Sequence, residues 1–252
     1  MVYIVGAGPG DKELITVKGV RLLKEADVVI YDRLVGAEIL DYINESAERI
    51  FVGKSSTYHA RPQEEINSLL KEKADAGNVV VRLKGGDPYI FGRGGEEARF
   101  LSKAGIAFEV VPGVTAASAV AAYAGIPMTD RSVTPAVTFI AGHRMKGKGL
   151  DDLNWEAISK VDHSLVFYMA LTNLGAIADK LIKNGMDSET PAAVVKDATM
   201  ATQKTVVGTL GEIDSLVREA GLNPPAILVI GKVVDFKEAL NWFENNRQCG
   251  AK

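Results

Sequence analysis

The chain has 252 residues, 47% hydrophobic and 24% charged, and its 29 Lys and Arg against 32 Asp and Glu give a net charge of −3. With a mean hydropathy of +0.07, this composition excludes a disordered polyelectrolyte, and Gly and Pro scattered without a period exclude a collagen-like chain. A net acidic protein has no global positive field for nucleic acid or an anionic membrane, so an anionic ligand must be met by a local basic cluster.

At about 150 residues per domain the length predicts one large domain or two modest ones. A strand is predicted over 2–5, followed by the glycine turn Gly6-Ala7-Gly8-Pro9-Gly10-Asp11 and a helix starting near Leu14 or Thr16, with Val17, Val20, Leu23 and Ala26 on its apolar face. Further strands are predicted over 28–31, 49–52 and 79–83, a helix opened by Pro62 runs to about Ala76, and another spans about 95–104. A short strand ends at Val110, and the Ala-rich stretch 114–124 suits a tightly packed helix. Repeated strand and helix units predict a mainly parallel sheet with helices on both faces.

The segment 126–135, with Pro127, Asp130 and Pro135 and little periodicity, reads as a linker between an N-terminal α/β domain, 1–125, and a C-terminal one, 136–252. The second domain is expected to hold strands at 137–141, 164–168, 192–196, 204–208 and 226–230, with helices near 153–159, 174–184, 212–220 and 236–245. The connection 197–203 is too short for a helical crossover, so its flanking strands should pair antiparallel and make this sheet mixed. The apolar runs are of strand length, far short of the roughly 20 residues of a membrane span. The start lacks a basic n-region, which predicts a cytoplasmic protein. Cys249, the one cysteine, excludes an internal disulfide, and His59, His143 and His163 show no zinc spacing, so no metal is expected.

Two glycine loops carry the functional signal. In the first, Gly6, Gly8 and Gly10 follow a strand, but a dinucleotide site needs G-x-G-x-x-G with a helix opening at the loop. A tight turn and a loop that lets a ligand touch bare backbone both remain as readings. The second, Lys84-Gly85-Gly86-Asp87-Pro88-Tyr89-Ile90-Phe91-Gly92-Arg93-Gly94-Gly95-Glu96-Glu97, stands at the carboxyl end of a strand read as continuously apolar, where open α/β sheets bind ligands. It lacks the G-K-[ST] of a phosphate cradle, and Asp87 repels phosphate. Asp87 could accept from a hydroxyl or amine, with Tyr89, Ile90 and Phe91 as a wall for a flat heterocycle, or the block could simply turn the chain.

These loops, together with Val29-Ile30-Tyr31-Asp32-Arg33-Leu34, Val52-Gly53-Lys54, Val80-Val81-Arg82-Leu83, Val111-Pro112-Gly113-Val114-Thr115-Ala116-Ala117-Ser118 and Val166-Phe167-Tyr168-Met169, resemble the tetrapyrrole methylase family, in particular its uroporphyrinogen-III methylating members. The resemblance implies a two-domain α/β homodimer that holds S-adenosylmethionine folded in the cleft between domains. It also implies two successive methylations of uroporphyrinogen III, at C2 and C7, giving precorrin-2 for cobalamin or sirohaem. By motif, Pro9, Gly85, Gly86, Asp87, Ile90, Thr115, Ala116, Met169 and Ala198 match cofactor contacts, Asp32 the proton acceptor, Lys54 the proton donor, and Arg93 a substrate position. Two departures stand out: Asp197-Ala198-Thr199 where many members place a glycine before the threonine, and Asp130-Arg131 where others have His-Arg. With the motif starting at Met1, the dehydrogenase and chelatase module that precedes the methylase in some members is expected to be absent.

The residue types suit that chemistry. Methyl transfer to carbon disperses the sulfonium charge, so glycine backbone and apolar walls are better neighbours of the sulfur than a carboxylate. Placing donor and acceptor in line can supply roughly 7 to 11 kcal/mol. Methylation must then be followed by loss of a proton from a neighbouring position, for which Asp32 at a strand end is placed. The bland alternative for Asp32 is a turn or a salt bridge with Arg33, and for Lys54 a solvated lysine. The eight carboxylates of the substrate require a basic collar, for which Arg33, Lys54, Arg61, Arg93, Arg131 and Arg144 are candidates. The rivals are a methylase of later precorrins, diphthine or RNA, an NAD oxidoreductase and a non-catalytic ligand-binding regulator.

Overall fold

The computed structural model describes residues 1–53, 61–142 and 150–249, with side chains described up to Asn246. Two compact units divide it, 1–116 and 117–252.

The first unit is built from β1 (Val2–Gly6), α1 (Val17–Glu25), β2 (Val28–Tyr31), β3 (Glu48–Phe51), α2 (Gln63–Asp75), β4 (Val80–Lys84), α3 (Gly94–Lys103) and β5 (Phe108–Val111). Its strands pair in the order β3-β2-β4-β1-β5, every pair parallel. Alternating side chains divide between the two faces of such a sheet. Val5, Val29, Val81 and Leu83 pack with Leu22 and Leu23 of α1 and with Ile39 of a 3-10 turn, Ala37–Tyr42, that had no counterpart in the sequence reading. Ile4, Ile30 and Val80 pack on the other face with Ile66 and Leu70 of α2 and Leu101 of α3. The sheet is doubly wound, so all five strands end on one edge and their following loops gather there.

Two local expectations change. The helix after the first glycine turn is preceded by a 3-10 turn, Lys12–Leu14, capped by Asp11, whose Oδ1 accepts from Glu13 N at 2.9 Å; α1 itself is capped by Thr16 Oγ1, which accepts from Gly19 N at 3.0 Å. Leu23 and Ala26 of the expected apolar face are buried, but Val17 is 89% exposed, because the first turn of the helix buries Gly19 instead.

The second unit contains α4 (Ala116–Tyr123, which begins at the last residue of the first unit), β6 (Val137–Ala141), α5 (Trp155–Ser159), β7 (Ser164–Tyr168), α6 (Leu174–Lys183), β8 (Pro191–Lys196), β9 (Lys204–Thr209), α7 (Ile213–Glu219), β10 (Ala226–Ile230), α8 (Lys237–Leu240) and α9 (Trp242–Cys249). Its sheet runs β6-β7-β10-β8-β9, with β6 and β7 parallel and the remaining pairs antiparallel, including the β8–β9 hairpin. The mixed sheet expected of this half is therefore present. The division falls ahead of the segment 126–135, which lies inside the second unit. Gln203 Nε2 donates to Tyr123 O at 3.0 Å and Trp242 Nε1 to Ala122 O at 2.8 Å, tying α4 to this half. The single helix expected over 236–245 is broken at Asn241 (φ −76°, ψ 60°), where the turn brings Trp242 and Phe243 against Tyr123 with ring centroids 5.2 and 4.9 Å away.

Candidate active site

Three loops at the carboxyl edge of the first sheet meet through glycine. Gly6 ends β1, Gly86 follows β4 and Gly113 follows β5; a Cβ on Gly6 would stand 2.6 Å from Gly113 N and 2.7 Å from both Gly113 Cα and Gly86 O. Only bare backbone allows that approach. Gly8 and Gly86 exchange backbone hydrogen bonds, Gly86 N to Gly8 O at 2.7 Å and Gly8 N to Gly86 O at 3.2 Å. Gly10 O occupies the place of a Cβ on Gly36, and Leu34 that of one on Gly85. The glycines of the first loop thus serve close packing between loops, with Gly6, Gly8 and Gly10 buried and Pro9 half-buried. A Cβ on Gly86 (φ 66°) would stand 3.9 Å from Ala116 N and 4.0 Å from Thr115 Cα, so these matched positions are neighbours.

Asp87 organises the second loop. Its Oδ1 accepts from Tyr89 N at 2.8 Å and Ile90 N at 3.1 Å, and its Oδ2 accepts from Gly113 N at 3.1 Å. The carboxylate suggested for a ligand's hydroxyl or amine is engaged first by backbone. Beyond it, Tyr89, Ile90 and Phe91 are exposed, and Phe91 (φ 53°) and Arg93 (φ 61°) adopt left-handed backbone. Such conformations cost about 1–3 kcal/mol at a non-glycine residue and collect at functional loops. Arg93, just ahead of α3, forms a two-point pair with Glu96, Nε to Oε1 at 2.9 Å and Nη2 to Oε2 at 2.8 Å. That hydrogen bond holds the Glu96 carboxyl below its ordinary value of 4.5.

Asp32 stands one residue beyond β2. Its Oδ1 accepts from Leu34 N at 3.1 Å, the turn foreseen for it, but its cation is not Arg33: Arg82 Nη2 donates to Asp32 Oδ2 at 3.1 Å. The strand read as continuously apolar carries two buried cations. Arg82 and Lys84, two apart on β4, share the face covered by α3, where Glu97 Oε1 accepts from Arg82 Nε at 3.0 Å, Lys84 Nζ at 3.1 Å and Gln63 Nε2 at 3.2 Å. Glu97 has no exposed side-chain surface, and those of Arg82 and Lys84 are 3% and 5% exposed. Burial and then the Arg82 charge pull the Lys84 ammonium below its ordinary 10.5. Buried ions of this kind persist only when each is paired, and stranding one costs about 3–5 kcal/mol. This cluster has one signal in the sequence, a pair of cations two residues apart in a strand with a glutamate on the next helix, and no partner is visible until the helix is placed over the strand.

Of the remaining candidate positions, Arg33 and Arg61 are exposed in the loops that follow β2 and β3, on the same edge as Asp32. Arg131 is exposed in a turn of the second unit closed by Asp130 N to Thr134 O at 2.8 Å. Met169, after β7, is 48% exposed with φ 55°. Ala198 is buried in the β8–β9 turn, where the left-handed backbone falls on its neighbours Asp197 and Thr199, so a glycine at 198 is not required. Lys54, Arg144, His59 and His143 lie outside the described residues. Among the described residues no group of three or more His, Cys, Asp or Glu could hold a metal ion, and no helix is long and apolar enough to cross a membrane.

The family model of tetrapyrrole (corrin/porphyrin) methylases matches residues 1–214. A siroheme synthase of Pseudoalteromonas atlantica is 51% identical over 242 residues, 96% of this chain and 52% of that protein. The chain thus spans about half the length of the curated relatives it matches. A crystal structure of uroporphyrin-III C-methyl transferase from Thermus thermophilus complexed with S-adenyl homocysteine is similar at a TM-score of 0.78 and 40% identity, covering 93% of this chain and 98% of that one. A cobalt precorrin-4 methyltransferase of cobalamin biosynthesis is similar at a TM-score of 0.82 and 30% identity, covering 92% and 95%.

Proposed function

The chain belongs to the tetrapyrrole methylase family, and from that premise we propose that it methylates uroporphyrinogen III at C2 and C7, using S-adenosylmethionine, to give precorrin-2. The observation that carries the proposal is the glycine-packed loop edge with Asp32 beside it, in a chain 40% identical over 93% of its length to a uroporphyrin-III C-methyl transferase. The precorrin-4 methyltransferase is as similar in fold but only 30% identical, so sequence favours the earlier substrate.

S-adenosylmethionine supplies a methyl group on a sulfonium and carries no phosphate, which fits loops without phosphate chemistry. Pro9, Gly85, Gly86, Asp87, Ile90, Thr115, Ala116, Met169 and Ala198 are proposed as its contacts, by their match to the family's motifs. The loop backbone, ordered by Asp87, fixes its position, and the exposed Tyr89, Ile90 and Phe91 offer an apolar wall. The chain then has to accept a proton. We assign that to Asp32, whose two oxygens are each fixed by one hydrogen bond and keep lone pairs free. Lys54 is proposed as the donor. Arg33, Arg61, Arg93 and Arg131 are proposed to meet the substrate's carboxylates, Arg93 by exchanging Glu96 for one of them. A cytoplasmic homodimer is proposed as well, supported for the dimer by exposed Val207, Leu240 and Trp242 in the second unit.

Asp32→Asn tests the assignment, because it keeps shape and removes the base. Turnover should fall by roughly 10² to 10⁴ while calorimetric affinity for S-adenosylhomocysteine stays as in the native chain. Near-normal turnover with an unaltered melt would remove Asp32 from the mechanism, and NADH binding more tightly than S-adenosylmethionine would remove the methylase reading itself.

A further inference from the structure

Arg82 touches two carboxylates at once. Nη2 reaches Asp32 Oδ2 at 3.1 Å, Nε reaches Glu97 Oε1 at 3.0 Å, and Nη1 donates to Leu83 O at 2.9 Å, so one planar guanidinium is held on three sides. Glu97 itself has no exposed side-chain surface, and its Oε2 is buried without a hydrogen-bond partner. Three donors crowd Oε1 while the second oxygen has none. An unsatisfied oxygen on a buried charge is expensive, and a structure serving stability alone would do as well with apolar side chains.

We infer that Glu97 is a positioning residue: through Arg82 it fixes the place and orientation of the Asp32 carboxylate at the loop edge. The inference rests on the reading of Asp32 as the proton acceptor. In that reaction the sulfur–methyl bond breaks as the carbon–methyl bond forms, leaving a cationic pyrrole ring. The adjacent bridging carbon then gives its proton to an Asp32 oxygen, and the C–H electron pair becomes a ring-neutralising double bond. A carboxylate displaced by a fraction of an ångström slows that second step while leaving the cofactor loops alone, since Arg82 acts on the β2 end and Lys84, the other cation on Glu97, has its backbone fixed in β4 against β1.

The test uses the native chain, Glu97→Gln and Arg82→Lys. The glutamine keeps the shape but removes the negative charge that anchors the Arg82 guanidinium, so the hold passed on to Asp32 weakens; the lysine keeps the charge and cannot span both carboxylates. Each variant is assayed with S-adenosylmethionine and uroporphyrinogen III, either unlabelled or deuterated at the bridging carbons. In both variants kcat should fall by about 10- to 100-fold, KM and S-adenosylhomocysteine affinity should stay within twofold of native, and the deuterium effect on kcat should rise. The deuterium effect is independent of the folded fraction, so partial unfolding cannot imitate its rise. An unchanged deuterium effect in both variants, or an unchanged kcat, would overturn the positioning role. A native chain that transfers no methyl group would instead overturn the proposed function, and this inference with it.

Discussion

Gly6→Ala is the sharpest structural perturbation available. The added Cβ would lie 2.6 to 2.7 Å from three atoms, Gly113 N, Gly113 Cα and Gly86 O, where ordinary contact begins near 3.4 Å. All three are backbone, so no side chain can swing away and the loops after β4 and β5 must retreat by about 0.7 Å. Overpacking of this kind costs about 1–3 kcal/mol. For a unit of 116 residues, at roughly 4 °C per kcal/mol, the melt should drop by about 4–12 °C. The same retreat pulls Gly86 and Gly113 from the positions that Asp87 ties together, so calorimetric affinity for S-adenosylhomocysteine should fall about tenfold, or ~1.4 kcal/mol. Gly95 is the internal control: it belongs to the same glycine-rich block, yet nothing lies within 4 Å of its Cβ position. Gly95→Ala should therefore be neutral or stabilising by up to ~1 kcal/mol. A Gly6→Ala chain that melts and binds like the native one would refute the packing argument.

Asp87→Ala should weaken S-adenosylhomocysteine binding by about 1.5–3 kcal/mol, acting through the released N–H groups of Tyr89, Ile90 and Gly113, and titration calorimetry reads it directly. Because the carboxylate also orders the loop, the melt should fall with it; a lower affinity at an unchanged melt would return Asp87 to direct ligand contact. The Arg93–Glu96 pair predicts a pH dependence. Glu96 is held below its ordinary 4.5 by Arg93, so the pair's stabilisation is complete above pH 4.5 and is lost as pH falls through the depressed folded value. The melting gap between the native chain and Glu96→Gln should therefore be widest above pH 4.5 and close in acid; a gap constant with pH would show that the pair does not hold in solution.

Most of the fold was legible because it rests on local signals. β2 and β10 are unbroken apolar runs, β6 and β7 carry one polar residue each, Thr138 and Ser164, Pro62 marks the start of α2, and the short connection after Lys196 forces the β8–β9 hairpin. What escaped depends on tertiary partners. A strand with Arg82 and Lys84 reads as apolar with two blemishes until Glu97, on the following helix, is seen to cover both. Asp32 invited its neighbour Arg33 as a partner, but consecutive residues beyond a strand diverge, and the cation that reaches it comes from the adjacent strand. Asp87 illustrates the same limit: a carboxylate in a glycine loop can face a ligand or backbone, and only the approach of Gly113 decides. Val17 misled because periodicity does not say where a capped helix first meets the sheet. At Asn241, rings on Tyr123, Trp242 and Phe243 broke a helix that propensity alone would continue.

Methyl transfer to uroporphyrinogen III is read by counting methyl groups. The purified chain is incubated anaerobically with S-adenosylmethionine labelled in its methyl group and with uroporphyrinogen III, and the product is weighed by mass spectrometry. The expected product is a tetrapyrrole carrying two labelled methyl groups on carbon, formed without added metal or NAD. No labelled product, or labelling only when a later precorrin is supplied, would contradict it.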